Sequence, residues 1–111
     1  MRPRFLKFLI AASAILAACP GSVLAQQSAE ARGEALLSEH CGMCHAVGRS
    51  GTSPNSVAPP FRTLGQRYPL ESLEGALGEG LITGHPAMPE FAFPPQAVGA
   101  IIRYLRSIQD R

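Results

Sequence analysis

Two cysteines three residues apart, followed at once by a histidine, constrain this chain more than any other feature: Cys41-Gly42-Met43-Cys44-His45. On a helical turn, positions i and i+3 share one side. The motif therefore presents two thiols to one object and sets an imidazole beside them. A length of 111 residues fits a single domain. A domain that small builds only a limited core. Whatever the motif holds is then a large part of what the chain packs around.

The third cysteine, Cys19, stands in a different setting. Arg2, Arg4 and Lys7 give a basic start, and Phe8 to Cys19 is a short apolar run. That run has the length of a signal-peptide core and is short for a bilayer. Pro20-Gly21 interrupts it, and Val23-Leu24-Ala25 offers small or apolar residues for a leader peptidase. The expectation is a signal peptide over 1–25, removed after Ala25, and a working domain over 26–111. Two other fates compete with it. The leader stays as an uncleaved anchor, which the short run disfavours. Or Leu16-Ala17-Ala18-Cys19 acts as a lipoprotein box and Cys19 is lipidated, which Pro20 disfavours.

Removing 25 of 111 residues leaves 86 and changes the charge. The formal +2 of the whole chain becomes −1, from seven arginines against eight carboxylates, with no lysine. Nucleic-acid binding loses its electrostatic support. No apolar run reaches the length of a membrane span. Apolar residues make up 46% of the whole chain, which excludes wholesale disorder.

Helical spacing accounts for three segments. From Ser28 to about Cys44, Gly33, Leu37, Cys41 and Cys44 fall on one face, with Ser28 as the expected cap. From Leu70 to Leu81, Leu70, Leu73, Leu77 and Leu81 line one side, with Pro69 near the start and Gly78 and Gly80 near the end. From about Gln96 to Gln109, Val98, Ile101, Ile102, Leu105 and Ile108 make an apolar stripe. Residues 46–66 and 83–95 are rich in Pro and Gly and read as loops. No alternating strand pattern occurs, so the expected class is all-α. Long loops in so small a domain are functional or wrap something.

The C-x-x-C-H spacing is the attachment signature of c-type haem. Each thiol adds to one vinyl group of the porphyrin, and the adjacent His45 swings under the iron as proximal ligand. Three other uses of the cysteines compete with it. A thiol–disulfide site normally follows a strand and opens a helix, whereas this pair closes one. A zinc site needs four ligands, and His40 and His45 would crowd the thiols. A structural disulfide would close too short a loop to stabilise much. For the far side of the iron, Met43 and His40 are tied to the proximal side. Met88 stands in Gly84-His85-Pro86-Ala87-Met88-Pro89, where two prolines stiffen the backbone. His85 is the competing ligand, and a gap-filling core role competes for Met88. Methionine ligation raises the potential and blocks small ligands, which suits electron transfer.

Together these segments resemble a small class I cytochrome c, and more narrowly the single-domain periplasmic cytochromes c of proteobacteria. The resemblance spans about 28–109. It rests on Gly33, the Cys41–His45 motif, Ala58-Pro59-Pro60-Phe61-Arg62, Thr83 to Phe91, and Ile101-Ile102-Arg103-Tyr104-Leu105. It implies a cytochrome c fold: about three main helices with long loops wrapped around one covalently bound haem. It implies that Gly33 lets the first helix cross the last closely, against Tyr104 or Leu105. It implies that Pro59, or else Pro60, offers its carbonyl to His45, and that Arg62, Arg67 and Tyr68 bind the propionates. The expected core around the haem is Leu36 or Leu37, Phe61, Leu64, Leu77, Leu81, Phe91, Phe93, Val98 and Ile102.

The function implied is a periplasmic electron carrier, not an enzyme, whose haem keeps His45 and Met88 as ligands. Its partners would be redox proteins: a respiratory complex, a terminal oxidase or a periplasmic dehydrogenase. Such encounters are small and transient. Two alternatives remain. One is a haem subunit fixed permanently to a periplasmic oxidoreductase. The other is a ligand-binding haem with an open sixth position.

Overall fold

The computed structural model describes residues 21–110, with side chains from Ser28 onward. Most of the expected leader, Cys19 included, lies outside the described residues. The described residues form three α-helices, α1 (Gly21–Cys41), α2 (Leu70–Glu79) and α3 (Pro95–Ile108), plus one 3-10 helix over Phe61–Gln66. No strand occurs among them. The all-α expectation holds.

Helix α3 is the hub, because α1, α2 and the 3-10 helix all pack on it. Its apolar stripe is the reason. Val98, Ile101, Ile102, Leu105 and Ile108 are buried, with Ile101 at 0% exposure. Pro95 occupies the first turn, where its missing N–H costs nothing. The core joins these residues to Leu37, Phe61, Leu70, Leu77, Phe93, Ala97 and Tyr104. Leu36, Leu64, Leu81 and Phe91 pack against it while partly exposed.

Gly33 sits where α1 crosses α3. A Cβ there would lie 2.7 Å from the Ala100 carbonyl carbon and 2.9 Å from Tyr104 Cβ. Only glycine admits this approach. The neighbours are Ala100 and Tyr104 rather than Leu105.

Three boundaries differ from the sequence expectation. Ser28 lies inside α1 rather than at its N-cap, because no breaker stands between Gly21 and Ser28. Helix α1 stops at Cys41 rather than Cys44. Beyond it the N–H groups of Cys44 and His45 both turn back to the Cys41 carbonyl, at 3.2 and 3.0 Å. Helix α2 stops at Glu79 because Gly80 adopts φ 119° and releases Leu81 to bond elsewhere. The 3-10 helix falls in a segment whose Pro and Gly content reads as loop. Pro60 caps it from outside, and its carbonyl accepts the Thr63 N–H at 3.1 Å.

Candidate functional site

The end of α1 delivers the cysteine motif into a folded loop. The Cys44 carbonyl accepts the Asn55 N–H at 3.1 Å, and the Ala46 carbonyl accepts the Phe61 N–H at 3.0 Å. Buried Ser53 accepts the Ala46 N–H through Oγ at 3.0 Å. The Tyr104 hydroxyl donates to the Val47 carbonyl at 3.0 Å and pins this loop to α3.

This closure brings the Pro59 carbonyl to 2.8 Å from His45 Nδ1. A carbonyl only accepts, so Nδ1 carries the proton and Nε2 keeps its lone pair. The Pro60 carbonyl is taken by Thr63, through both its N–H and its Oγ1 at 2.9 Å. The His45 ring stacks on Phe61, with centroids 4.7 Å apart at 24°. The imidazole is thus oriented from two sides, with one nitrogen available as a ligand.

Cys41 and Cys44 are separate, half-buried thiols. Burial pushes the Cys41 thiol up to about 11, so it stays protonated at neutral pH and is a poor free nucleophile. Among the described residues, no three His, Cys, Asp or Glu side chains cluster closely enough to hold a metal ion. The zinc reading gains nothing from this arrangement.

Met88 belongs to a second loop, closed at its base by two bonds. The Leu81 N–H donates to the Phe91 carbonyl at 3.0 Å, and the Phe93 N–H donates to the Leu77 carbonyl at 2.8 Å. Within it, the Met88 N–H donates to the His85 carbonyl at 2.9 Å. Met88 is half-buried and lines a shallow hollow of about 350 Å3 with Leu81, Ile82, His85 and Glu90. His85 is exposed. Met43 is 89% exposed between the cysteines. The His40 ring lies against Phe91 and Phe93.

The three residues expected at the propionates are treated unequally. Arg62 donates to the Gly51 carbonyl at 2.9 Å and pairs with Asp110 at 3.6 Å. Arg67 and Tyr68 are exposed. Sequence reasoning missed Ser53, the Tyr104 hydroxyl and Gln109. Gln109 side-chain Nε2 donates to the Phe61 carbonyl at 2.9 Å, and its Oε1 accepts the Gly65 N–H at 2.7 Å. The Tyr104 and Gln109 bonds join residues far apart in the chain, and no sequence pattern announces them or the Ser53 bond.

A family model described as "Cytochrome C oxidase, cbb3-type, subunit III" matches residues 28–105. The chain is a c-type cytochrome. It belongs to that family, whose members carry covalently bound haem c and transfer electrons, and this cytochrome is an electron-transfer haem protein. A curated relative is the "Dihydro-heme d1 dehydrogenase" of Pseudomonas aeruginosa, 34% identical over 89 residues. The match takes in 77% of this chain and only 17% of that protein. No solved structure matches. The residues fit the cofactor: one thiol at the end of α1 and one just beyond it, and beside them an imidazole whose Nδ1 is occupied and whose Nε2 is available. Among the described residues, no helix is long and apolar enough to cross a membrane.

Proposed function

We propose that this cytochrome is a single-haem periplasmic carrier of single electrons, not an enzyme, with His45 and Met88 as iron ligands. The His45 Nδ1 to Pro59 contact at 2.8 Å carries the reading. It fixes the tautomer, so Nε2 is the nitrogen His45 would offer to the iron, and the bond to Pro59 would raise that nitrogen's basicity. When bound, the haem supplies an iron that cycles between ferric and ferrous states. The protein's part is to hold both ligands and keep the site's surroundings apolar. Cys41 and Cys44 anchor the porphyrin through thioethers, which removes the high-lying Cys41 thiol from titration. Met88 is the distal ligand of choice because its loop is stiffened by Pro86 and Pro89 and the side chain is half-buried, while His85 is exposed. Arg67 and Tyr68 are the better placed propionate partners, since Arg62 is engaged with Gly51 and Asp110.

Export by a leader over 1–25 suits covalent haem attachment, which in this family takes place in the periplasm. The N-terminal residue of the mature protein tests this: Gln26 supports cleavage, and a lipidated Cys19 replaces it with an anchored carrier. Optical spectra test the ligation. The oxidised protein should show the far-red charge-transfer band of methionine sulfur on iron. Met88→Ala should lose it and bind carbon monoxide when reduced. Carbon monoxide binding to the unaltered protein would favour the open-site reading.

A second reading draws on the relative. The matched segment is a small part of a protein named as a dehydrogenase. This cytochrome would then be the haem unit of an oxidoreductase complex, lodged on its partner as that enzyme's electron exit. Gel filtration of native extract separates the two. Migration as the free chain supports the shuttle, and stable co-migration with a larger oxidoreductase supports the subunit.

A further inference from the structure

We infer that His40 is a positioning residue for the distal ligand: its ring clamps the base of the Met88 loop to the helix that carries the haem cysteines. The inference rests on Met88 as ligand and adds what holds that ligand in register.

The Met88 loop has few fastenings. Residues 82–87 are exposed, and so are Pro89 and Glu90. Its base is closed by Leu81 with Phe91 and by Phe93 with Leu77. Those two bonds tie the loop to α2 and to itself, not to α1. The haem cysteines are on α1 and just beyond it. Something must fix the distance between the two supports, because an iron held on one side must meet a sulfur from the other.

Phe93 shares the buried core with Leu37 of α1, and His40 adds a direct contact from the same helix to both Phe91 and Phe93. His40 precedes Cys41 in the last turn of α1. Its ring centroid lies 5.3 Å from Phe93 at 73°, an edge-to-face contact. It lies 5.7 Å from Phe91 at 59°. Phe91 and Phe93 are themselves 6.3 Å apart and nearly parallel, at 21°. The ring therefore meets both aromatics of the segment that closes the loop. These separations fall in the range where the edge of one ring attracts the face of another. Phe93 is buried in the core while Phe91 is only partly so. His40 thus meets the partly exposed member of the pair as well as the buried one. An aliphatic side chain at 40 would cover some of the same area without the ring-edge geometry.

Each aromatic pair of this kind shifts an equilibrium by about two- to twelvefold. Losing both contacts should open the loop base roughly tenfold more often. The test is amide hydrogen exchange on the haem-loaded cytochrome, read at Leu81 and Phe93, with Ile101 in α3 as reference. In His40→Ala, exchange at Leu81 and Phe93 should quicken about tenfold while Ile101 holds, and the far-red band should bleach at lower temperature than in the parent. His40→Phe should restore both readings. Phe91→Leu should mimic His40→Ala, and the double variant should add little to either. Unchanged exchange at Leu81 and Phe93 overturns the clamp. So does equal acceleration at Ile101, which would mean general loosening, and so does failure of His40→Phe to rescue. The exchange readings stand whether or not Met88 binds iron. If the parent lacks the far-red band while His40→Ala still frees Leu81 and Phe93, the ligand assignment has failed and the clamp has not.

Discussion

Gly33→Ala measures how tightly α1 and α3 must close to build this domain. A Cβ at Gly33 would stand 2.7 Å from the Ala100 carbonyl carbon, about 0.7 Å inside the 3.4 Å where ordinary contact begins. Tyr104 Cβ at 2.9 Å blocks a sideways escape. Both obstacles are fixed, one backbone and one at the root of a side chain, so the helices must part. Overpacking of this kind costs about 1–3 kcal/mol. Opposing it, alanine gains about 1 kcal/mol over glycine in a helix interior. The balance is a loss of up to about 2 kcal/mol, or a fall in Tm of up to about 16 °C for a domain this size. Gly99→Ala is the internal control. It lies within α3 with nothing within 4 Å of a new Cβ, so only the propensity gain operates and Tm should rise. Thermal unfolding of both haem-loaded variants, followed by far-UV circular dichroism, gives the comparison. If both shift Tm upward together, the crossing is not as close as these distances require.

The remaining predictions probe the supports of the site. Tyr104→Phe removes the bond to Val47 and should cost about 1 kcal/mol. Burial first, and then Glu34, raise the Tyr104 phenol above its ordinary 10.0. The folded chain therefore favours the protonated phenol, so that contribution is whole below pH 10 and is lost as pH climbs through the raised value. The stability gap between parent and Tyr104→Phe should narrow in alkali, and denaturant titrations at rising pH would show a constant gap if this is wrong. Gln109→Ala loses its bonds to Phe61 and Gly65 and should cost about 2 kcal/mol, with increased proteolysis near the 3-10 helix as the sign of where. Cys41→Ala/Cys44→Ala cannot attach haem, and so small a domain, with its limited core, should then lose cooperative unfolding; a sharp native-like calorimetric transition would contradict this.

The parts of this molecule written in local periodicity were legible. The apolar stripe of α3 named its own buried face, and the C-x-x-C-H spacing named its chemistry. Gly33 was legible only through a resemblance, because a glycine reveals close approach once its neighbour is known. What stayed hidden was held by side-chain bonds to backbone groups outside any helical repeat. Nothing near Gln109 or Ser53 marks either as a tether. The end of α1 was misplaced because helical periodicity runs on through Cys44. The backbone instead turns at Gly42, where the carbonyl of Cys41 serves two N–H groups at once. The 3-10 helix was hidden by its own composition, since prolines before it and a glycine within it imitate a loop.

The two sides of the site are not held alike, and the difference carries a consequence. His45 is next to a cysteine, bonded to Pro59, stacked on Phe61 and enclosed by a loop that Ser53 and Tyr104 fasten. Displacing it requires several supports to fail together. Met88 rides on an exposed loop closed by two backbone bonds and one set of aromatic contacts. Local opening follows the cheapest set of contacts, not the global stability. On the proposed ligation, heat, denaturant or a docking partner that strains the molecule should release Met88 while His45 stays bound. The protein would pass through a state with one firm ligand and one vacated position before it unfolds. On that ligation the methionine's share of the potential lasts only while the loop holds it, so the contacts at the loop base bear on the redox properties alongside the His45–Pro59 bond beside the cysteine motif.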